Sequence, residues 1–286
     1  KKRKKKKKKK KNPRKVSQSR VRSIPPPLHN MTKKKKKKKK RLQLRPPPPP
    51  PPPPPSSSKT SRQQLVKVDQ RHAHSLTQIG PSSVFGVSNY VLSVLDNKQV
   101  NETTTTTMLQ VFLLDSGGGS LPPSIELSQL EWLQSQRLKN TAAVVFQHIP
   151  TAEFGFNDDD QKTCSGFDGD HGSDPIKSDA GVVKTLQEDG NVHFLAVGHN
   201  HGNSYCCSTT TTSTTNAIQE NSALHLCFGR HSGYGGYGSF DRGGRVYQFR
   251  LKDDDDDDDN DGTEQLAWSS WARMESGEIM DRFEPQ

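Results

Sequence analysis

Two histidines one residue apart, His199 and His201, follow the apolar run VHFLAV (192–197) in the stretch FLAVGHNHGNSYCC. A third, His148, closes another apolar run in VVFQHIP. A continuous apolar run reads as a strand buried on both faces, and open α/β sheets bind their ligands at the carboxyl ends of such strands. Imidazole is a good ligand for iron and zinc, so these three residues are candidate metal ligands. In extended backbone, residues two apart project to one side. His199 and His201 are therefore expected to offer one nitrogen each to two neighbouring ions, which in two-metal hydrolases stand roughly 3.5 to 4 Å apart. Gly198 and Gly202 are expected to let the backbone turn sharply there. The plainer alternative is that all three histidines are polar residues ending strands.

Arg230 and His231, in GRHSGYGGYG, are candidate substrate contacts, because arginine presents paired donors to phosphate oxygens. The alternative is a polar glycine-rich loop, and Tyr234 and Tyr237 read as packing residues. DGDHGSD (168–174) echoes a calcium loop through Asp168, Asp170, Asp174 and Asp179, but Ser173 stands where that loop needs glycine and no glutamate closes it. The four cysteines, Cys164, Cys206, Cys207 and Cys227, do not follow C-x-x-C spacing. They are expected to be reduced, buried thiols.

The elements that must position these residues are legible in outline. NYVLSVLD (89–96) and MLQVFLLD (108–115) read as a hairpin around a threonine run. SQLEWLQSQRL reads as a helix capped by Ser128 with Glu131 closing a capping box, and with Leu127 stapled to the first turn. A strand over 141–148 follows. Asp179 is expected to cap a helix whose Val182, Val183 and Leu186 share a face, with Gly190 as its stop. Strands at 192–197 and 224–229 and a pair formed by GRVYQFRL and EQLAWSSWARM complete an α/β arrangement. Thr-rich runs and Asp253–Asp259 fall between elements and read as loop insertions.

Of 42 Lys+Arg, 29 lie in residues 1–75 with one of the 31 Asp+Glu; the remaining 13 and 30 give residues 76–286 the opposite sign. With Lys/Arg at every position from 1 to 11 and ten prolines from Pro46 to Pro55, residues 1–75 are expected to be a disordered tail, and residues 76–286 the folded domain. Such a tail implies nonspecific contact with polyanions and resembles a nuclear localisation run. No apolar stretch approaches the roughly 20 residues of a membrane helix. A cytoplasmic or nuclear location is favoured over a secreted one.

VVFQHIP, GVVKTL, FLAVGHNHGNSYCC, LHLCFGRHSGYGGYG and GGRVYQF resemble, in order, motifs from the C-terminal half of calcineurin-like metallophosphoesterases, in the purple-acid-phosphatase-like branch. GVSNYVLSV, FLLDSGGG, SQLEWL and WARMESGEIMDRF extend the resemblance over most of residues 76–286. It implies packed mixed sheets flanked by helices, with His148 and His199 on one metal ion and His201 on a second. It also implies two divalent or trivalent ions (Fe, Mn or Zn) and hydrolysis of a phosphomonoester, on a small molecule or a phosphoprotein.

Such enzymes also use D-x-H, a GD motif whose aspartate bridges both ions, and G-N-H-[DE]. His72 and His74 form only an H-x-H, and FDGDHGSD has GD without a preceding apolar strand. With Lys at position 1, the expectation is a chain lacking the N-terminal half of the domain, binding two metals poorly and turning over little substrate. The competing expectation is a noncatalytic binding protein that uses its basic tail.

Overall fold

The computed structural model describes residues 61–96, 106–155, 164–209, 223–251 and 266–285, all within the unit Ser56–Gln286. The lysine and proline runs, the aspartate run and most of the threonine residues lie outside the described residues.

The described residues fold as mixed α/β layers with three α-helices and one large mixed sheet. In order come α1 (Arg62–Asp69), β1 (Tyr90–Leu95), β2 (Thr107–Leu113), β3 (Ser124–Ile125), α2 (Leu127–Gln136), β4 (Ala142–Phe146), β5 (Cys164–Ser165) and β6 (Ser178–Asp179). Then follow α3 (Val182–Asp189), β7 (Val192–Val197), β8 (Cys206–Ser208), β9 (His225–Phe228), β10 (Gly243–Leu251), β11 (Leu266–Met274) and β12 (Ile279–Phe283). The large sheet runs β1-β2-β4-β7-β9-β8-β5. Its centre is parallel, from β2 through β4 and β7 to β9, and its edges are antiparallel. Among the described residues no helix is long and apolar enough to cross a membrane.

The continuous apolar runs of β4 and β7 follow from burial on both faces. Val145, Leu195 and Val197 face a core shared with Leu130 and Leu133 of α2 and Val182, Val183 and Leu186 of α3. Their alternates, Val144, Phe194 and Ala196, face a second core closed by Trp268 and Phe283 of the three-stranded sheet β10-β11-β12. There Phe194 stacks on Tyr247 with ring centroids 4.3 Å apart. Arg245 ties the two sheets together, donating to Phe228 O (2.8 Å), to Ser270 Oγ (2.9 Å) and to Ser204 O. β10 and β11 pair along their whole length, as the sequence suggests.

Three local features depart from the sequence reading. Residues 62–69, expected in the tail, form α1: Ser61 and Gln64 make a reciprocal capping box. Arg62 pairs with the buried Asp115 at 3.2 Å and donates to Gly118 O. Helix α2 starts one turn-fraction earlier than expected, capped by Glu126 with Gln129, while Ser128 Oγ accepts the Phe85 N–H instead and Leu127 is exposed. Helix α3 has Gly181 at its N-cap position, and Asp179 still serves it by accepting the N–H groups of Gly181 and Val182; Gly190 ends it in the left-handed region (φ 74°).

The cysteines are not reduced. Cys164 bonds to Cys207, and Cys206 to Cys227. Each bond joins residues directly opposite one another, Cys164 on β5 with Cys207 on β8, and Cys206 on β8 with Cys227 on β9. Neighbouring residues of a strand point to opposite faces, so the adjacent pair reaches one partner on each side of the sheet.

Candidate functional site

At the carboxyl ends of β4, β7 and β9 a cleft of about 400 Å³ is lined by His148, His199, His201, Arg230 and His231. The three candidate metal ligands and the two candidate substrate contacts therefore meet at one place. His148 also lines a second, more apolar cleft of about 460 Å³ walled by Leu65, Val66, Tyr90 and Leu113.

The turn that carries the paired histidines is not the one expected. β7 ends at Val197, and the left-handed residue is His199 itself, with φ 70°. The backbone is not extended there, and the two imidazoles meet different neighbours. His199 lies edge-on to His148, with ring centroids 5.3 Å apart, and its Nε2 stands 3.4 Å from Asp174 Oδ2. His201 is stacked between His231 (4.1 Å) and Tyr237 (4.2 Å).

Gly198 and Gly202 serve close approach rather than the turn. A Cβ on Gly198 would lie 3.3 Å from His148 Nδ1, and one on Gly202 would lie 2.7 Å from the Gly169 carbonyl carbon. Gly202→Ala is expected to force the 168–174 loop off the histidine turn and to destabilise the fold by about 1–3 kcal/mol. Limited proteolysis, cutting within residues 164–174 several-fold faster than in the wild type, is the check.

Two partners of the histidines were not legible in the sequence as such. Asp170 Oδ2 accepts the Gly202 N–H (2.9 Å) and the Tyr237 hydroxyl (2.8 Å). That hydroxyl accepts the His201 N–H (2.9 Å), and Tyr237 O lies 3.0 Å from His201 Nδ1. The loop bearing Asp170 is anchored to the turn by hydrogen bonds from Asp170 N to Asn203 Oδ1 and from Asp174 N to Asn200 Oδ1. The GD in FDGDHGSD was the available signal, but the contacts span 25 to 67 residues.

Burial is the main cause that holds the His148 imidazole below its ordinary range, reinforced by His199, His201 and Arg62. Arg230 lines the cleft with its Nε bonded to Asp241 O (2.9 Å). His231 is buried and its Nε2 lies 3.0 Å from Gly235 O, so that nitrogen donates. Tyr234, by contrast, is exposed, with Arg242 over its ring and its hydroxyl on Glu275.

A two-ion centre needs more than these groups provide. Among the described residues no three His, Cys, Asp or Glu side chains come together as a ligand set for an ion. The side chains that line the cleft include no carboxylate or thiolate, so they bring no negative charge to offset that of two ions. The donor set does not fit a pair of metal ions.

No family model matches the chain. A protein of Arabidopsis thaliana named "Probable inactive purple acid phosphatase 29" is 28% identical to it over 215 residues, covering 65% of this chain and 51% of that protein. The likeness supports a distant relationship to the phosphoesterase family. The chain spans about half the length of that relative.

Proposed function

We propose that this chain is a phosphoesterase-like protein whose histidine cleft receives a phosphate ester without hydrolysing it on the residues present here. The observation that carries this reading is the convergence of His148, His199, His201 and Arg230 on one cleft whose donors do not complete a metal pair. The name of the Arabidopsis relative, with its word "inactive", points the same way.

Arg230 supplies a cationic fork suited to phosphate oxygens, and His231 behind it packs His201 into place. In an intact two-metal enzyme the ions supply the attacking hydroxide and stabilise the leaving oxygen. The residues of this chain would contribute His148 and His199 to one ion and His201 to the other. Here they orient the ester, and among the described residues none completes the ion pair that would generate the nucleophile. The ester is a phosphorylated small molecule or phosphoprotein.

The test measures binding and turnover of p-nitrophenyl phosphate together. Saturable binding, weakened about tenfold by Arg230→Ala, is expected, with no turnover above that of His199→Ala and His201→Ala in added manganese, iron or zinc. Metal-dependent hydrolysis abolished by either histidine substitution would show an active enzyme, and absence of binding would sink the phosphoester reading. The second reading rests on the charge of residues 1–75, with 29 Lys+Arg against one acidic residue. Salt-sensitive retention of RNA or DNA by a protein that ignores p-nitrophenyl phosphate would favour it.

A further inference from the structure

We propose that Asp170 and Tyr237 are positioning residues that hold His201 in the Nδ1–H tautomer, leaving Nε2 as the unprotonated nitrogen of the cleft.

The geometry is a closed chain of contacts. Tyr237 O is a carbonyl and can only accept, so the 3.0 Å contact requires the proton on His201 Nδ1. The same tyrosine touches His201 twice more: its ring lies parallel to the imidazole at 4.2 Å with an interplanar angle of 9°, and its hydroxyl accepts the His201 backbone N–H at 2.9 Å. With one acceptor role filled, the hydroxyl proton goes to Asp170 Oδ2 at 2.8 Å. Asp170 Oδ2 also accepts the N–H of Gly202, the residue after His201, at 2.9 Å. Asp170 therefore grips both the tyrosine and the backbone beside the histidine. On the opposite face, His231 closes the stack at 4.1 Å.

A ring held by one nitrogen on a carbonyl has its tautomer and orientation fixed by that bond. Gly236 completes the fit: a Cβ there would come within 2.9 Å of His201 Nδ1, so the loop approaches the ring as only glycine can. Neither Asp170 nor Tyr237 lines the cleft; they act through His201. The proposal deepens the phosphoester reading, on which it rests for what Nε2 faces, but the tautomer itself is a separate observable.

The experiment is long-range nitrogen–proton NMR of the full chain at pH 8, with the His201 signals assigned by loss in His201→Gln. Wild-type His201 is expected to show a protonated Nδ1 and an unprotonated Nε2. Tyr237→Phe keeps the ring and the carbonyl but removes the hydroxyl, and Asp170→Ala removes its acceptor; each is expected to raise the Nε2–H population about threefold, the size of one lost hydrogen bond. Asp170→Asn keeps an acceptor oxygen and is expected to restore the wild-type signals, which a merely structural role would not require. A wild-type His201 protonated on Nε2, or unchanged signals in folded Tyr237→Phe and Asp170→Ala, would overturn the assignment. Failure of the wild type to bind p-nitrophenyl phosphate, with Nδ1 still protonated, would overturn the functional reading and uphold the positioning.

Discussion

Removing the Cys164–Cys207 bond with a paired alanine substitution is expected to lower stability by about 4 kcal/mol, and removing Cys206–Cys227 by about 3 kcal/mol. The order follows the sequence separations, 43 and 21 residues, because the longer loop loses more freedom in the unfolded chain when it is closed. The two bonds share β8, so their effects are not independent and the quadruple variant should lose less than the sum. Urea unfolding at constant slope measures each loss. A thiol count on the denatured, unreduced protein is expected to be zero. Four titratable thiols, or equal midpoints for oxidised and reduced protein, would sink the prediction. Because persistent disulfides belong to oxidising environments, the same thiol count made on protein taken from its native source bears directly on the compartment, for which the sequence favoured the cytoplasm or nucleus.

Acid is expected to weaken the fold through His225. This residue is buried between Trp268 and Phe283, 5.3 Å from each ring, with Ser208 Oγ at 3.1 Å from its Nδ1. Burial first, and the nearby His193 second, lower its pKa from 6.5 to about 4. The folded protein thus binds this proton less readily than the unfolded chain does. Stability is fully present above pH 6.5, falls as the pH drops below it, and levels off near pH 4, a loss of about 3 kcal/mol from this group. His193, also held low by burial, adds to the same slope. His225→Phe keeps an aromatic ring between its neighbours and is expected to remove most of the acid-dependent loss, read as urea midpoints at pH 7 and pH 4. A wild-type midpoint that does not move between these two values would refute the assignment.

The fold was legible where hydrophobic pattern alone decides it. β4 and β7 are apolar along both faces because two different cores claim their alternate residues, and α3 declares itself by Asp179 at one end and Gly190 at the other. α1 was hidden because RQQLVKVD buries only Val66 while Leu65 and Val68 stay exposed, so it shows no apolar face; that valine and a capping box hold it, and its docking depends on the Arg62–Asp115 pair, 53 positions apart in sequence. The disulfides were missed because the cysteines read as buried thiols, and the spacing of four cysteines does not show which could pair. Strand register does. At the site, the imidazoles could be placed because they sit at the ends of apolar runs. The hydrogen bonds that orient them come from Asp170 and Tyr237, which local sequence does not link to His201.

The adjacent cysteines also bear on how the chain oxidises. Cys206 belongs to the core beneath the three-stranded sheet, and Cys207 packs toward the helix-side core with Tyr205. Exchanging their partners, Cys164 with Cys206 and Cys207 with Cys227, would need one-residue register shifts in opposite directions against β5 and β9, and a one-residue shift turns a strand's side chains to the wrong face. Such a mispaired isomer has the same mass and the same number of disulfides but a misthreaded sheet. Correct oxidation is therefore also a proofreading of register: once the native bonds close, β8, the strand that follows the turn carrying His199 and His201, can no longer slide along β9.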